Sequence, residues 1–245
     1  HLDRVFRIHG MMHKGDRPVM HPFISIPLPS DEIFSNVKDL LLDLEGMKKI
    51  LGDPKVCTTR IVLNLEKMVV KEAQRAFTYL SLYDYLTDLI VVNRVLPPEV
   101  TDKYFDSWRE SQQRYALMVD SAFSPIPTLQ TKLFDHEIVG LDSLREMADS
   151  IYEDRDPSQI FYHSVPQRIR KVGNNYELQL HLPFVGKEDV DIKHREGELF
   201  ISVGPYKREI SLPRVLNGKR VTKGRLEEGM LSVTFSERTS SDQKS

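Results

Sequence analysis

Residues 58–97 read TTRIVLNLEKMVVKEAQRAFTYLSLYDYLTDLIVVNRVLP, and this stretch decides the fold class. Its opening TTRIVLN is short and rich in β-branched side chains, which predicts a strand at 58–63. The following EKMVVKEAQRAFTYLSLYD places its apolar residues on one face, which predicts a helix capped by Asn64. TDLIVVN then returns to a strand pattern. A strand, a helix and a strand within about 35 residues predict a βαβ unit with parallel strands.

The second of these strands ends in polar residues. Its apolar run at 89–92 predicts a strand buried on both faces, and Asn93 and Arg94 follow directly. Because ligands of parallel α/β sheets bind outside the carboxyl ends of the strands, Asn93 and Arg94 are candidate binding residues. A polar start to a loop is the plainer interpretation, and this short run of residues alone favours it.

A second unit follows the first. Residues 102–123 have a helical pattern, IPTLQTK at 126–132 predicts a third strand, and 141–154 predicts a closing helix. The region is therefore predicted to be α/β, with a doubly wound parallel sheet.

A further amphipathic helix is predicted at 31–51, before the first strand, with Ser30 as its N-cap. Its stripe consists of apolar residues in alternating steps of four and three: Ile33, Val37, Leu40, Leu44, Met47 and Leu51. We expect this stripe to lie on a core; the alternative is a helix that binds a partner or a client.

The pattern changes after Tyr152. Residues 153–165 are charged and end at a proline, which predicts a linker and the main protease-sensitive site. Residues 166–237 alternate apolar and polar side chains between Gly, Asn and Pro turns, which predicts an antiparallel β-sandwich. The last residues, 238–245, are predicted to be a disordered tail.

Composition excludes several function classes. The 245 residues carry 34 Lys and Arg against 36 Asp and Glu, so no basic field favours nucleic acid. Cys57 is the only cysteine, which excludes an intrachain disulfide and fits a reducing compartment. No run reaches the roughly 18 to 20 apolar residues that span a bilayer, so we expect no transmembrane segment. The chain begins with His1, and we expect it to be processed, truncated or part of a longer protein.

The sequence contains none of the common motifs for phosphate binding or metal binding. The Gly-Lys pairs at 186–187 and 218–219 are followed by Glu188 and Arg220, so neither forms a phosphate loop. His9 and His13 have helical metal-ligand spacing, but Gly10 lies between them and no third ligand is evident. Residue patterns alone thus give an α/β domain, a β-sandwich and no function.

Three segments carry a resemblance to a known family. Residues 58–97, SWRESQQRY and KLFDHEIVGLDSLREM resemble the ArsA-like ATPases, which include arsenite-pump ATPases and targeting factors for tail-anchored membrane proteins. Residues 58–152 are similar to the C-terminal part of that ATPase domain, and 1–57 would then be an N-terminal helical remnant. Residues 166–237 resemble the α-crystallin domain of small heat-shock proteins. A subgroup of ArsA-like proteins in cyanobacteria and chloroplasts carries that domain at its C-terminus, and this chain is similar to that subgroup.

The resemblance implies a nucleotide site. By similarity, Asn93 is expected to hydrogen-bond adenine, with Arg94 beside it and Glu66 near the nucleotide. The loop 132–140 is expected to pass over the base. Its candidate binding residues are Lys132, Leu133, Phe134 and Glu137. No catalytic residue is assigned.

The resemblance also implies cofactors and partners. The complete protein is expected to use ATP and Mg²⁺, whereas the phosphate loop and switch segments of the family are missing here, so this chain alone should not turn over ATP. No zinc is expected, because the family's C-x-x-C falls at about Asp102 and Phe105. A homodimer and a hydrophobic or membrane-protein client are expected, without nucleic acid, in the cytoplasm or plastid stroma.

Two functions therefore remain open. The first is the C-terminal portion of an ATP-binding ATPase that acts in protein targeting or chaperoning. The alternative is a non-catalytic chaperone or interaction module whose β-sandwich binds extended apolar segments. The fold expected in both cases is a partial doubly wound parallel sheet of the phosphate-loop ATPase type, without the phosphate loop, followed by a sandwich of α-crystallin type.

Overall fold

The structure is a computed structural model, and it describes residues 31–163, 167–195, 197–216 and 218–237. The predicted cap Ser30, the pair His9 and His13, and the tail 238–245 lie outside the described residues. The chain divides into two compact units between Lys48 and Lys49, and each is described by itself.

Helix α1 spans Asp31–Leu51, which confirms the predicted bounds. Its apolar stripe is not buried, since Val37 is 44% and Leu40 is 57% exposed. The expectation that this stripe lies on a core is therefore wrong for these side chains, because amphipathic periodicity specifies an apolar face but not the surface that covers it.

The second unit begins with the predicted α/β elements. They are β1 (Thr59–Asn64), α2 (Lys67–Leu82), β2 (Thr87–Val95), a 3₁₀ turn (Lys103–Phe105), α3 (Asp106–Phe123), β3 (Thr128–Lys132) and α4 (Leu141–Tyr152). The strands form a parallel sheet in the order β1-β2-β3, which confirms the predicted βαβ unit. We call residues 59–152 the α/β region.

Two predicted helix starts differ from the structure. Asn64 is the last residue of β1, and Glu66 occupies the N-cap of α2 without a side-chain capping bond. The helix predicted from 102 begins as a 3₁₀ turn in which Asp102 accepts a hydrogen bond from the Tyr104 amide, and α3 starts at Asp106. Polar residues often cap helix starts, but Asn64 is paired with Asn93 in the sheet and does not cap α2.

Strand β2 is buried along most of its length, as its apolar run predicts. Leu89, Ile90 and Val92 have no exposed area, and neither does the carboxylate-bearing Asp88. Asp88 accepts hydrogen bonds from Nε of Arg60 at 3.4 Å and from the Phe161 amide at 3.0 Å. A buried carboxylate is tolerated only when it is paired and hydrogen-bonded, and these contacts satisfy both oxygens.

Asp88 and Arg60 also hold the segment predicted as a linker. Arg60 donates to the carbonyl of Gln159 at 2.9 Å, and its guanidinium lies 5.1 Å from the centre of the Phe161 ring. Tyr162 packs against the core of the α/β region. The described part of 153–165 is thus docked rather than free, because its two aromatic side chains supply apolar surface that its charged composition hides. The domain boundaries themselves stay a prediction.

The second half of this unit is the predicted antiparallel sandwich. Its strands are β4 (Gln167–Val172), β5 (Asn175–His181), β6 (Val190–Arg195), β7 (Glu198–Val203), β8 (Tyr206–Ser211), β9 (Arg220–Glu227) and β10 (Met230–Ser236). One sheet has the order β4-β5-β10-β9 and the other β6-β7-β8. Alternate side chains of β5, β7 and β10 point inward and are fully buried, among them Leu180, Ile201 and Phe235.

Helix α2 contributes to both cores. Val70, Ala73 and Phe77 pack in the α/β core, whereas Leu82 is fully buried within the sandwich cluster, with Tyr79 packed against it. The Tyr79 ring lies 3.8 Å from that of Tyr206 in β8. Buried residues of α2 therefore pack in both halves of the unit.

Polar contacts fix the same junction. The hydroxyl of Thr78 donates to the carbonyl of Pro183 at 2.6 Å, and Arg208 donates to the Leu82 carbonyl at 2.6 Å. The guanidinium of Arg208 also pairs with Asp84 at 3.5 Å. Burial lowers the pKa of Arg208 from its ordinary value, and Asp84 opposes this shift. A cation at the C-terminus of α2 satisfies a terminal carbonyl and complements the helix dipole.

We predict that Thr78→Val destabilises the chain by about 1 to 3 kcal/mol, because the isosteric change leaves the buried carbonyl of Pro183 unpaired. Urea unfolding followed by circular dichroism measures the effect. Thr222→Val is the matched control, because the Thr222 hydroxyl makes its contacts at an exposed position. Equal unfolding midpoints for the two variants would show that the Thr78 bond does not stabilise the junction.

Candidate functional site

Several of the predicted site residues lie at the carboxyl edge of the parallel sheet. Asn64 and Asn93 are register partners at the ends of β1 and β2, and Lys132 ends β3. Glu66 lies two residues beyond β1, at the start of α2. Because parallel strands end at one edge of a sheet, the fold places these residues on the side where such sheets bind ligands.

The end of β2 is a bulge with an unusual backbone. The pairing of β2 with β3 shifts between Val92 and Val95, and Arg94 has φ of 58°. A non-glycine residue in this left-handed region costs about 1 to 3 kcal/mol and persists only where its surroundings hold it. The bulge changes the direction of the chain next to Asn93, whose side chain carries an amide group.

Gln112 of α3 holds this bulge. Its Nε2 donates to the Arg94 carbonyl at 3.1 Å, and its Oε1 accepts from the Leu96 amide at 2.9 Å. Residue patterns do not distinguish Gln112 from the adjacent Gln113, so sequence analysis missed its role. The structure distinguishes them, because Gln112 is half-buried and Gln113 is exposed.

The side chain of Asn93 is half-buried and makes no hydrogen bond to another described residue. The Arg94 side chain is exposed. An amide both donates and accepts, so an unpaired one at a ligand-binding edge is suited to a ligand edge that also offers one donor and one acceptor.

The loop after β3 lies beside this edge. The Leu133 amide donates to the Val95 carbonyl at 2.8 Å, which ties the loop to the end of β2. The Lys132 ammonium lies 5.2 Å from the centre of the Phe134 ring. Glu137 is exposed further along the same loop. The structure thus brings Lys132, Leu133 and Phe134 to the edge that carries Asn93.

His136 connects residues of this loop with helix α4. Its Nδ1 lies 2.8 Å from the Asp135 carboxylate, its Nε2 lies 3.6 Å from Glu146 in α4, and its ring packs against Phe134. The hydrogen bond with His136 lowers the pKa of Asp135 from its ordinary value. These contacts link the loop to α4 and position the Phe134 ring.

The described residues contain no group of three or more His, Cys, Asp or Glu side chains arranged to hold a metal ion. None of the described helices is long and apolar enough to cross a membrane.

The edge and its loop offer the amide of Asn93, the exposed cations Arg94 and Lys132, the aromatic face of Phe134, and two exposed carboxylates, Glu66 and Glu137.

A three-stranded parallel sheet with helices, followed by a two-sheet antiparallel sandwich, defines an α/β protein that carries a small heat-shock type domain. The family model for anion-transporting ATPases of the ArsA type matches residues 1–153, and a model for the HSP20-like domain found in ArsA matches residues 173–235. The chain belongs to the ArsA ATPase family. The match reaches back to residue 1, whereas the resemblance seen in the sequence begins at residue 58.

Relatives agree with this assignment. A protein named "Putative arsenical pump-driving ATPase 1" from Aquifex aeolicus is 32% identical over 240 residues, covering 96% of this chain and 61% of the relative. "Putative arsenical pump-driving ATPase" from Prosthecochloris vibrioformis is 36% identical over 208 residues, covering 82% and 51%. The chain thus spans between half and two thirds of the length of these relatives. The cyanobacterial or chloroplast type stays a prediction.

Among solved structures, small heat shock protein AgsA from Salmonella typhimurium aligns with a TM-score of 0.25 and 21% identity, covering 32% of this chain and 92% of that one. HSP18.5 from E. histolytica aligns with a TM-score of 0.26 and 18% identity, covering 33% and 93%.

We predict that Gln112→Ala loosens the bulge, because it removes both hydrogen bonds to Arg94 and Leu96, and that it destabilises the chain by about 1 to 2 kcal/mol. Hydrogen exchange should show faster exchange of the Leu96 amide. Gln113→Ala, on the exposed neighbour, should leave that amide unchanged. Unaltered protection of Leu96 in Gln112→Ala would show that the bulge is held by other groups.

Proposed function

We propose that this chain is the C-terminal portion of a nucleotide-binding ATPase and that its sheet edge recognises adenine through Asn93. The observation that carries the proposal is the half-buried amide of Asn93, which has no hydrogen-bond partner among the described residues, beside a bulge clamped by Gln112. Because Gln112 holds the backbone next to Asn93, a base would have to order only the side chain.

The chemistry of adenine fits an amide. The base offers a donor and an acceptor on one edge, and the carbonyl and amino group of one Asn can meet both. Phe134, on the loop beside Asn93, supplies an aromatic face for the base, and Arg94 and Lys132 supply positive charge. Glu66 lies at the adjoining start of α2, with its carboxylate exposed.

Hydrolysis requires more than this edge. A transferring phosphoryl group needs a phosphate-binding loop and Mg²⁺, and no Gly-Lys-Ser or Gly-Lys-Thr occurs in these 245 residues. In our proposal those groups belong to other parts of a longer protein. Two observations support this: among the described strands β1 lies at the edge of its sheet, with Val62 60% exposed, and the chain covers 61% of its Aquifex relative.

We further propose a role in protein targeting or chaperoning, in which the protein acts as a homodimer on an apolar or membrane-protein client. The exposed apolar stripe of α1 supports a partner-binding surface, because exposed apolar faces of this kind mark protein contacts.

The alternative, a sandwich that binds extended strands, has less support. The edge strand β4 carries Arg168, Arg170 and Lys171, and the edge strand β9 carries Arg220, Lys223 and Arg225. Charged side chains along an edge discourage the addition of another strand. At β8, Tyr79 and Tyr83 of the α2 end already contact Tyr206 and the Lys207 carbonyl.

In a complete protein we predict that Asn93→Ala weakens ATP binding by about 1 to 3 kcal/mol and reduces the preference for ATP over GTP, because the edge of the base loses its partners. Isothermal titration calorimetry measures both affinities. Asn174→Ala, in the sandwich turn far along the sequence, is the control. If ATP and GTP bind Asn93→Ala as they bind the unmodified protein, Asn93 does not read the base.

A further inference from the structure

A cavity of about 220 Å³ lies between the α/β region and the sandwich. Thr87 at the start of β2 and Ile126 just before β3 line it, so it lies at the amino edge of the parallel sheet. Asn93 lies at the opposite, carboxyl edge. The cavity is therefore separate from the proposed nucleotide site.

Aromatic rings form the inner wall of the cavity. Phe77 and Phe123 line it with ring centres 5.5 Å apart, and both are almost fully buried. Phe77 also lies edge-on to His181, with the ring centres 5.7 Å apart. Tyr162 and Tyr85 add further aromatic surface. Tilted and edge-on rings of this kind leave faces and edges to which another flat ring can pack.

Two polar groups of the sandwich also line the cavity. The exposed guanidinium of Arg168 and the half-buried imidazole of His181 have no hydrogen-bond or ion-pair partner among the described residues. Burial lowers the pKa of His181, so its ring is neutral at pH 7 and offers one donor and one acceptor. No carboxylate occurs among the described residues that line the cavity. The cavity thus combines apolar walls with a single unopposed positive charge.

We propose that this interdomain cavity binds a small aromatic carboxylate, with its ring against the aromatic wall that Phe77, Phe123 and Tyr162 form and its carboxylate toward Arg168 and His181. A guanidinium meets a carboxylate in two parallel hydrogen bonds, which fixes orientation, and the imidazole N–H adds a third donor. The volume admits one ring with a short side chain, since cavities of about 150 Å³ accept benzene.

The position of the cavity gives binding a structural consequence. Phe77 lies on α2, the helix that enters both cores. His181 and Met230 lie on the neighbouring sandwich strands β5 and β10. An occupant contacts both halves at once and therefore stabilises the docked arrangement by mass action.

The test uses the 245-residue chain and 4-fluorophenylacetate, observed by ¹⁹F NMR. We expect saturable binding, with clearly weaker binding of the neutral 4-fluorophenylethanol and of the cationic 4-fluorophenethylamine. Arg168→Gln should weaken the carboxylate about 3- to 10-fold while changing the alcohol little. Lys171→Gln removes an equal charge from the same strand away from the cavity and should leave binding unchanged.

Ser81→Leu fills the cavity from α2 and should abolish binding of all three probes, with thermal unfolding by circular dichroism used to show that the variant is folded. Three results would overturn the proposal: equal affinity for the three probes, an equal loss of binding in Lys171→Gln and Arg168→Gln, or undiminished binding by folded Ser81→Leu. If Ser81→Leu does not fold, the Arg168→Gln and Lys171→Gln comparison still decides the outcome.

Discussion

The entry of one helix into two hydrophobic cores is the constraint on which the second unit depends. Leu82, at the end of α2, is fully buried among sandwich residues, while Phe77, a little over one turn earlier, is buried in the α/β core. Fully burying a leucine side chain contributes about 1.5 to 3 kcal/mol. Arg208 then satisfies the terminal carbonyl of the same helix from the sandwich side. The sandwich is consequently packed against the α/β region through the end of this helix.

This arrangement gives the proposed nucleotide edge a route to the sandwich. The N-terminus of α2, with Glu66, lies at the carboxyl edge of the sheet, and its C-terminus lies in the sandwich core. A helix of 16 residues spans about 24 Å, so α2 reaches from that edge to the sandwich. The interdomain cavity lies beside the same helix.

Sequence patterns predicted the elements well and their surroundings less well. Strands β1 to β3, helices α1 to α4 and the sandwich follow from apolar periodicity and turn residues, because these are local properties. The apolar run 89–92 correctly indicated a buried strand, and the polar residues after it lie at the carboxyl edge of the sheet. At 153–163 the charged composition does not show the contacts that Phe161 makes with Arg60 and Asp88. The prediction that Asn64 caps α2 was wrong, because Asn64 is part of β1 and pairs with β2.

By itself, the sequence determined the two fold classes, their order and the candidate residue Asn93, because period, β-branching and short motifs are written along the chain. Only the tertiary structure decided what those residues meet. Gln112 clamps Arg94 and Leu96 across 18 and 16 positions, Thr78 reaches Pro183 across 105, and Arg208 reaches Leu82 across 126. No local pattern encodes such separations, since each bond forms only where tertiary packing brings distant segments together. The cavity that Phe77 and His181 help to line has the same origin, because its walls come from both halves of the unit.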